Sequence, residues 1–241
     1  MGSACLFFSL MPSAAVLSDI NQDLVDTFIA VRDIPSAVHR ALSKIEFGRR
    51  SYKALRKLDS SALTRADAAA RFIFLNRFCF NGLYRTNIKG QFNVPYAATG
   101  TGNLPDREEL VAAARALKCA AIRCSDFATI LKNVRKGDFV YLDPPYAVSN
   151  RRVFRQYDRS SFGTSDLSRL AESMHELDSK RIRFVASYAY CSEALDAFSK
   201  WPIKKVFTQR NISGFARHRR RAAELLVSNC NCRSLALNRG D

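Results

Sequence analysis

The sequence predicts an α/β fold with a mostly parallel sheet. Short apolar runs alternate with helix-length segments, one Gly- and Asn-rich stretch interrupts that alternation, and a 47% hydrophobic content suffices for a buried core. Residues 14–19, AAVLSD, read as a short buried strand ending in a carboxylate. Residues 22–32 and 35–46 read as helices, the second opening at Pro35, whose fixed φ suits a first helical position. Segment 49–58 is basic, with Arg49, Arg50, Lys53, Arg56 and Lys57. Segment 64–78 reads as a helix with Thr64 as N-cap and Asp67 three residues on. Between 79 and 105, Gly82, Gly90, Gly100 and Gly102 mix with Asn81, Asn87, Asn93 and Asn103, which is loop and hairpin chemistry with a turn at Lys89-Gly90. A helix at 106–118, a strand at 119–124, a short helix at 126–133 and a strand at 138–142 follow. A polar, Arg-rich loop at 147–164 precedes a helix (165–180), a strand (182–187), a helix (191–199) and strands at 203–208 and 222–228.

Charge narrows the function. The 241 residues carry 38 Lys+Arg against 22 Asp+Glu, a formal +16, and such a surplus on a globular chain points to a polyanion, most often nucleic acid. An anionic membrane is disfavoured, because no long basic amphipathic helix and no apolar run of about 18 residues occurs. Residues 1–17 imitate a secretory signal but lack its basic start, the first Arg being Arg32; Gly2 invites myristoylation, but position 6 is Leu. The seven scattered cysteines form no C-x-x-C pair and read as buried thiols of an intracellular protein. His39, His175 and His218 lack ligand spacing to any Cys, so no metal is expected.

Ligands of parallel sheets bind beyond the carboxyl ends of the strands. The strand 138–142 runs into Asp143-Pro144-Pro145-Tyr146. Tandem prolines have fixed φ and no N–H, which forces a rigid extended exit. An amino group on a planar heterocycle offers two N–H donors. The Asp143 carboxylate accepts one, the Pro144 carbonyl the other, and the Tyr146 ring stacks on the heterocycle. Accepting both protons frees the nitrogen lone pair for attack, by electrostatic positioning more than by general-base catalysis.

Asp143-Pro144-Pro145-Tyr146 resembles motif IV of the amino-methyltransferases that use S-adenosylmethionine. The surrounding chain is similar to the Dam-type (D12 class) DNA adenine-N6 methyltransferases. Three further stretches carry the resemblance: Ser18-Asp19-Ile20-Asn21-Gln22-Asp23-Leu24, RFIFLNRFCFNGLYRTNIKGQFNVP from Arg71 to Pro95, and Ser125-Asp126-Phe127. The second is the most specific. The resemblance implies a Rossmann-like S-adenosylmethionine-dependent methyltransferase sheet with an inserted helical and hairpin DNA-recognition subdomain. The catalytic core would be 1–34 with 106–241, and the insertion 35–105.

What the resemblance implies for single residues follows. Asp19 binds the cofactor ribose hydroxyls, a role compatible with capping the helix at 22–32. Gly2 belongs to the glycine turn, Asp126 and Phe127 line the adenine end, and Asp143 also borders the cofactor. Asn81, Gly82, Leu83 and Arg85 form the tip of a target-recognition hairpin that reads a GATC-like site, with Arg85 bidentate to the first guanine and Leu83 on a thymine methyl. Asn87, Lys89, Asn93 and Pro95 shape or extend that hairpin. Arg151, Arg152, Arg155 and Arg159, with the run Arg217 to Arg221, suit phosphate contacts or a solvated face. The target adenine leaves the duplex stack before reaction.

Family members begin with a Lys-bearing segment and a strand into a Phe-x-Gly-x-Gly turn, whereas this sequence starts inside that turn, so truncation within the first cofactor motif is expected. Two other readings stand beside an active enzyme: an inactive DNA-binding remnant, and an RNA or protein-amide methyltransferase, against which the 71–95 block argues. The expected partner is double-stranded DNA. The expected setting is a cytoplasmic, nucleoid-associated monomer in housekeeping methylation, restriction-modification or a mobile element.

Overall fold

In a computed structural model of the chain, the structure describes residues 1–87, 90–97, 102–145, 162–209 and 221–230. They fall into two compact units, residues 1–127 and the described residues from 128 onward. Each expected helix and strand is present, its ends shifted by three residues at most.

The first unit holds α1 (Cys5–Leu10), β1 (Ala15–Asp19), α2 (Gln22–Asp33), α3 (Pro35–Ser43), α4 (Arg49–Lys57), α5 (Arg65–Phe78), α6 (Arg107–Leu117) and β2 (Ala120–Cys124). β1 and β2 pair in parallel, with Ala15 opposite Ala120 and Asp19 opposite Cys124. Asn21, not Asp19, caps α2: its Oδ1 accepts the Leu24 N–H at 3.3 Å. Thr64 caps α5 as expected, accepting from the Asp67 N–H at 3.2 Å, and α6 opens with a reciprocal Asp106–Glu109 capping box.

α2 packs on β2 and on α5 and α6, around Ala30, Val31, Val38, Leu110 and Leu117. A second cluster joins Leu42, Tyr52, Phe74, Phe78, Cys79, Phe92 and Val94. The basic segment 49–58 forms α4 because Tyr52 and Leu55, three apart, turn into this cluster. Arg49, Arg50, Lys53 and Lys57 stay exposed. The Tyr52 hydroxyl donates to the Val94 carbonyl at 2.9 Å, and buried Arg71 donates through Nε to the Leu55 carbonyl at 2.8 Å. The same clusters hold α3, α4 and α5 around the 78–96 block.

The second unit begins within α7 (Phe127–Leu131). It contains β3 (Phe139–Leu142), α8 (Thr164–Ser179), β4 (Arg183–Ala189), α9 (Ser192–Ala197), β5 (Ile203–Gln209) and β6 (Arg221–Ser228). Its sheet order is β3-β4-β6-β5. β3 and β4 are parallel, whereas β6 runs antiparallel to both β4 and β5. The expectation of a mostly parallel sheet therefore holds for only half of the described strand pairs. Only residues 210–220 separate β5 from β6, and a parallel return needs a crossover of about a dozen residues or more. Leu167, Leu170, Met174 and Leu177 on one stripe of α8 are buried, as are Phe184, Ala186 and Tyr188 of β4 beneath it.

Asn229 closes this unit. Its Oδ1 accepts the Phe184 N–H at 2.9 Å, and its Nδ2 donates to the Ile182 carbonyl at 2.8 Å and to Asp178 at 2.9 Å. The Trp201 indole donates to the other oxygen of Asp178 at 3.1 Å. Among the described residues the expectation of buried thiols holds for Cys79 alone. Cys5 and Cys124 are exposed, at the first residue of a helix and the last of a strand, and Cys119, Cys191 and Cys230 are partly so. Among the described residues no helix is long and apolar enough to cross a membrane.

Asn229→Ala strands the N–H of fully buried Phe184. Urea denaturation of the full chain is expected to show a loss of about 2 kcal/mol. A second expectation concerns alkali. Burial pushes the Cys79 thiol up to about 11, against hydrogen bonds from its surroundings that favour the thiolate. Folding thus favours the protonated thiol, and the stabilisation is complete below the unfolded value near 9.0 and lost as pH rises toward about 11. Denaturation midpoints measured from pH 8 to 11 should fall for the wild type, and Cys79→Ala should flatten that slope by an amount on the order of 2 kcal/mol.

Candidate active site

The first unit gathers one group of expected residues at the carboxyl end of its parallel pair. β1 delivers Asp19 and β2 delivers Ser125-Asp126-Phe127 beside it. The two exits are tied by the Ser125 N–H donating to the Asp19 carbonyl at 3.0 Å and Ser18 Oγ donating to the Ser125 carbonyl at 3.2 Å. The Asp19 carboxylate accepts the Gly2 N–H at 3.0 Å and the Asn21 N–H at 3.1 Å, with the Met1 ammonium at 3.2 Å. Burial opposes its charge, but the Gly2 N–H, the ammonium and the Asn21 N–H together outweigh it and hold the carboxyl below the usual carboxylate range. Gly2 sits at φ +54°, and a Cβ there would meet nothing within 4 Å. An anchored carboxylate beside an open glycine turn can accept the two hydroxyls of a ribose diol.

A cavity of about 770 Å³ in this unit is walled by Gly2, Ser3 and Asn21 on one side and by Asn76, Gly82 and Tyr84 on another. The 79–97 block therefore borders the same space as the glycine turn. Asp23 ties the two together: the Tyr84 hydroxyl donates to Oδ2 at 3.5 Å and Ser60 Oγ to Oδ1 at 3.0 Å. Partial burial and then the Asp23 carboxylate push the Tyr84 hydroxyl up to about 12, so it remains a donor.

The block itself is a hairpin with bridges Cys79–Tyr96 and Thr86–Phe92. The expected tip residues lie instead at its root and in its arm, because the chain turns between Asn87 and Gln91; at the root, Phe80-Asn81-Gly82 makes a tight turn in which Asn81 (φ 58°) and Gly82 (φ 61°) are both left-handed, a conformation that Asn and Gly tolerate best. Leu83 is exposed. Arg85 donates through Nε to Asn93 Oδ1 at 2.7 Å, across the hairpin. Asn87 binds Gln91 through both its amide atoms, at 3.0 Å each, and so shapes the turn. Lys89 lies outside the described residues.

The second unit carries Asp143, Pro144 and Pro145 at the carboxyl end of β3. Ser187 Oγ on β4 donates to Asp143 Oδ1 at 2.8 Å, and the Tyr141 hydroxyl donates to Ser187 Oγ at 3.1 Å. Sequence reasoning singled out Asp143 but missed Ser187 and Tyr141. The signal was present, since two adjacent parallel strands ending near 142 and 187 place those ends side by side. Tyr146, Arg151, Arg152, Arg155, Arg159 and Arg217 to Arg220 lie outside the described residues, as does the side chain of Arg221. Among the described residues no three His, Cys, Asp or Glu side chains gather as a metal site.

A family model for D12 class N6 adenine-specific DNA methyltransferases matches residues 1–212. The chain is 31% identical to the Type II methyltransferase M1.LlaDCHI of Lactococcus lactis subsp. cremoris over 238 residues, covering 95% of this chain and 84% of that protein. It is 33% identical to the Type II methyltransferase M.MjaIII of Methanocaldococcus jannaschii over 235 residues, 88% of this chain and 79% of that one. To the DNA adenine methylase of Serratia marcescens it is 30% identical over 233 residues, 94% and 86% respectively. These matches run through β1 and its carboxylate, the hairpin block and the proline exit of β3 alike, and on them the chain belongs to the D12 class of N6 adenine-specific DNA methyltransferases.

Proposed function

We propose that this chain methylates N6 of an adenine turned out of duplex DNA at a GATC-like site, with Asp143 and Pro144 as the acceptors that align the target amine. The observation that carries the reading is the Asp143 carboxylate at the end of β3, held through one oxygen by Ser187 and followed at once by the two prolines. Ser187 occupies Oδ1, which leaves Oδ2 to accept one N–H of the amine while the Pro144 carbonyl accepts the other. Pro144 and Pro145 add no competing N–H donor at the exit.

S-adenosylmethionine, the donor generally used in this family, supplies a methyl group activated by its own sulfonium when bound. Asp19 would hold its ribose hydroxyls, the Gly2 turn would lie against it, and Asp126 and Phe127 would flank the adenine, Phe127 by its ring face. The protein then contributes alignment: the amine is presented with its lone pair unshared.

The insertion 35–105 reads the target in this proposal. Its own apolar cluster, the left-handed Asn81-Gly82 turn and the Arg85–Asn93 pair support that role. Arg85 would exchange Asn93 for guanine O6 and N7, and the exposed cations of α4 in the same unit would meet phosphates.

Two substitutions test this. Asp143→Ala should lower kcat for methyl transfer about a hundredfold or more while leaving duplex affinity and the denaturation midpoint near wild type. Full retained activity overturns the assignment. Arg85→Ala should cost about 10- to 100-fold in discrimination at one guanine of the site and far less on a sequence already altered there, as read by methylation of a panel of single-base-variant duplexes.

A further inference from the structure

Ser187 and Tyr141 form, with Asp143, a hydrogen-bonded line whose order the chemistry dictates. β3 and β4 are parallel with Leu142 opposite Ala186, so the next residue of each strand, Asp143 and Ser187, lie side by side. Alternation along β3 puts Tyr141 on the same face as Asp143. Ser187 Oγ is 2.8 Å from Asp143 Oδ1 and 3.1 Å from the Tyr141 hydroxyl. An ionised carboxylate only accepts, so the single hydroxyl hydrogen of Ser187 goes to Asp143 and Tyr141 donates to Ser187. Burial above all, with the Asp143 and Glu224 carboxylates adding to it and the Ser187 hydrogen bond opposing, raises the Tyr141 hydroxyl, which keeps it a donor.

The three residues differ in freedom. Asp143 is exposed just beyond the end of β3, the first strand in the described sheet of this unit, and can turn about two side-chain torsions. Ser187 is 5% exposed, on a strand flanked by β3 and β6. A rigid donor next to a mobile carboxylate fixes its orientation, and a second donor next to that hydroxyl fixes its hydrogen.

We propose that Ser187 and Tyr141 are positioning residues for methyl transfer: Ser187 locks the Asp143 rotamer so that Oδ2 faces the target amine, and Tyr141 orients Ser187. This rests on the reading of Asp143 as the amine acceptor. Neither residue touches the substrate, so their loss lowers the rate of the aligned step rather than the binding of either substrate.

The test uses the full chain with Ser187→Ala, Ser187→Thr, Tyr141→Phe, the Ser187→Ala/Tyr141→Phe double variant and Asp143→Asn. Single-turnover transfer from labelled S-adenosylmethionine is measured on unmethylated genomic DNA, with KM for both substrates and the thermal midpoint alongside. Ser187→Ala should slow the step about 10- to 100-fold with both KM values unchanged, and Ser187→Thr, which keeps the hydroxyl, should restore it. Tyr141→Phe should cause a smaller loss, and none beyond that of Ser187→Ala in the double variant, because it acts through Ser187. Independently of activity, the Asp143 side-chain carboxyl resonance should report one rotamer in the wild type and Ser187→Thr and averaging in Ser187→Ala. Wild-type turnover by Ser187→Ala beside a dead Asp143→Asn overturns the proposal and spares the Asp143 reading. Wild-type turnover by Asp143→Asn overturns that reading, and the carboxyl resonance still decides whether Ser187 fixes the rotamer. Equal losses in Ser187→Ala and Ser187→Thr, or a loss confined to KM, also overturn it.

Discussion

Parallel pairing puts the carboxyl ends of neighbouring strands at one edge, and the carboxylates proposed to hold the cofactor and the target amine hang on such edges. In the first unit the β1–β2 register brings Asp19 level with Cys124, so the residues leaving β2 lie against the carboxylate that ends β1. In the second, the β3–β4 register brings Asp143 level with Ser187. A one-residue slip in either pair would turn these side chains to the opposite face. The buried residues that pin the register, Val140 and Leu142 on β3 and Phe184, Ala186 and Tyr188 on β4, therefore position the chemistry as much as they stabilise the unit.

The insertion meets a different constraint. A hairpin with two bridges among its described residues does not hold its shape alone. Here its root is fixed from two sides. The Val94 carbonyl takes the Tyr52 hydroxyl at 2.9 Å and Arg56 at 3.2 Å, which fastens it to α4. Asp23 takes Tyr84 and Ser60, which fastens it to the first turn of α2, four residues beyond Asp19. The helix that leaves β1 is thus in hydrogen-bond contact with the hairpin block through the Asp23 carboxylate.

Much of this was legible in the residues. The strand ending in Asp19, the Thr64 cap, the hairpin chemistry around Asn81-Gly82 and the proline exit after Leu142 are local signals: apolar alternation, capping oxygens, left-handed residues and missing N–H groups. What the residues concealed is non-local. Helix α4 reads as a charge run because five of its nine residues, RRSYKALRK, are Lys or Arg, and Tyr52 and Leu55 are the two large apolar side chains that anchor it. The antiparallel return of β6 depends on connection length rather than on strand composition. Asn21 rather than Asp19 caps α2 because Asp19 is already committed to the glycine turn. Ser187 is one small polar residue in an apolar strand, and its task becomes visible only once β4 lies beside β3.

The electrostatics divide along the same lines. A surplus of +16 favours DNA without regard to sequence, and in the proposed reading α4 contributes to it with four exposed cations on a helix anchored by a buried tyrosine. The groups assigned to chemistry carry the opposite sign: Asp19, Asp126 and Asp143. Carboxylates at these points repel phosphate and accept only from donors, so an exposed nucleic acid backbone gains nothing from them, whereas a hydroxyl pair or an aromatic amine does. In the proposed reading, attraction of the backbone and acceptance of the cofactor diol and target amine thus rest on residues of opposite charge. The cost of keeping a carboxylate such as Asp143 oriented in a cationic protein falls on a neutral neighbour: a lysine or arginine beside it would form a stronger pair but would compete for the oxygen that the amine requires, whereas a serine hydroxyl fixes one oxygen and leaves the other open.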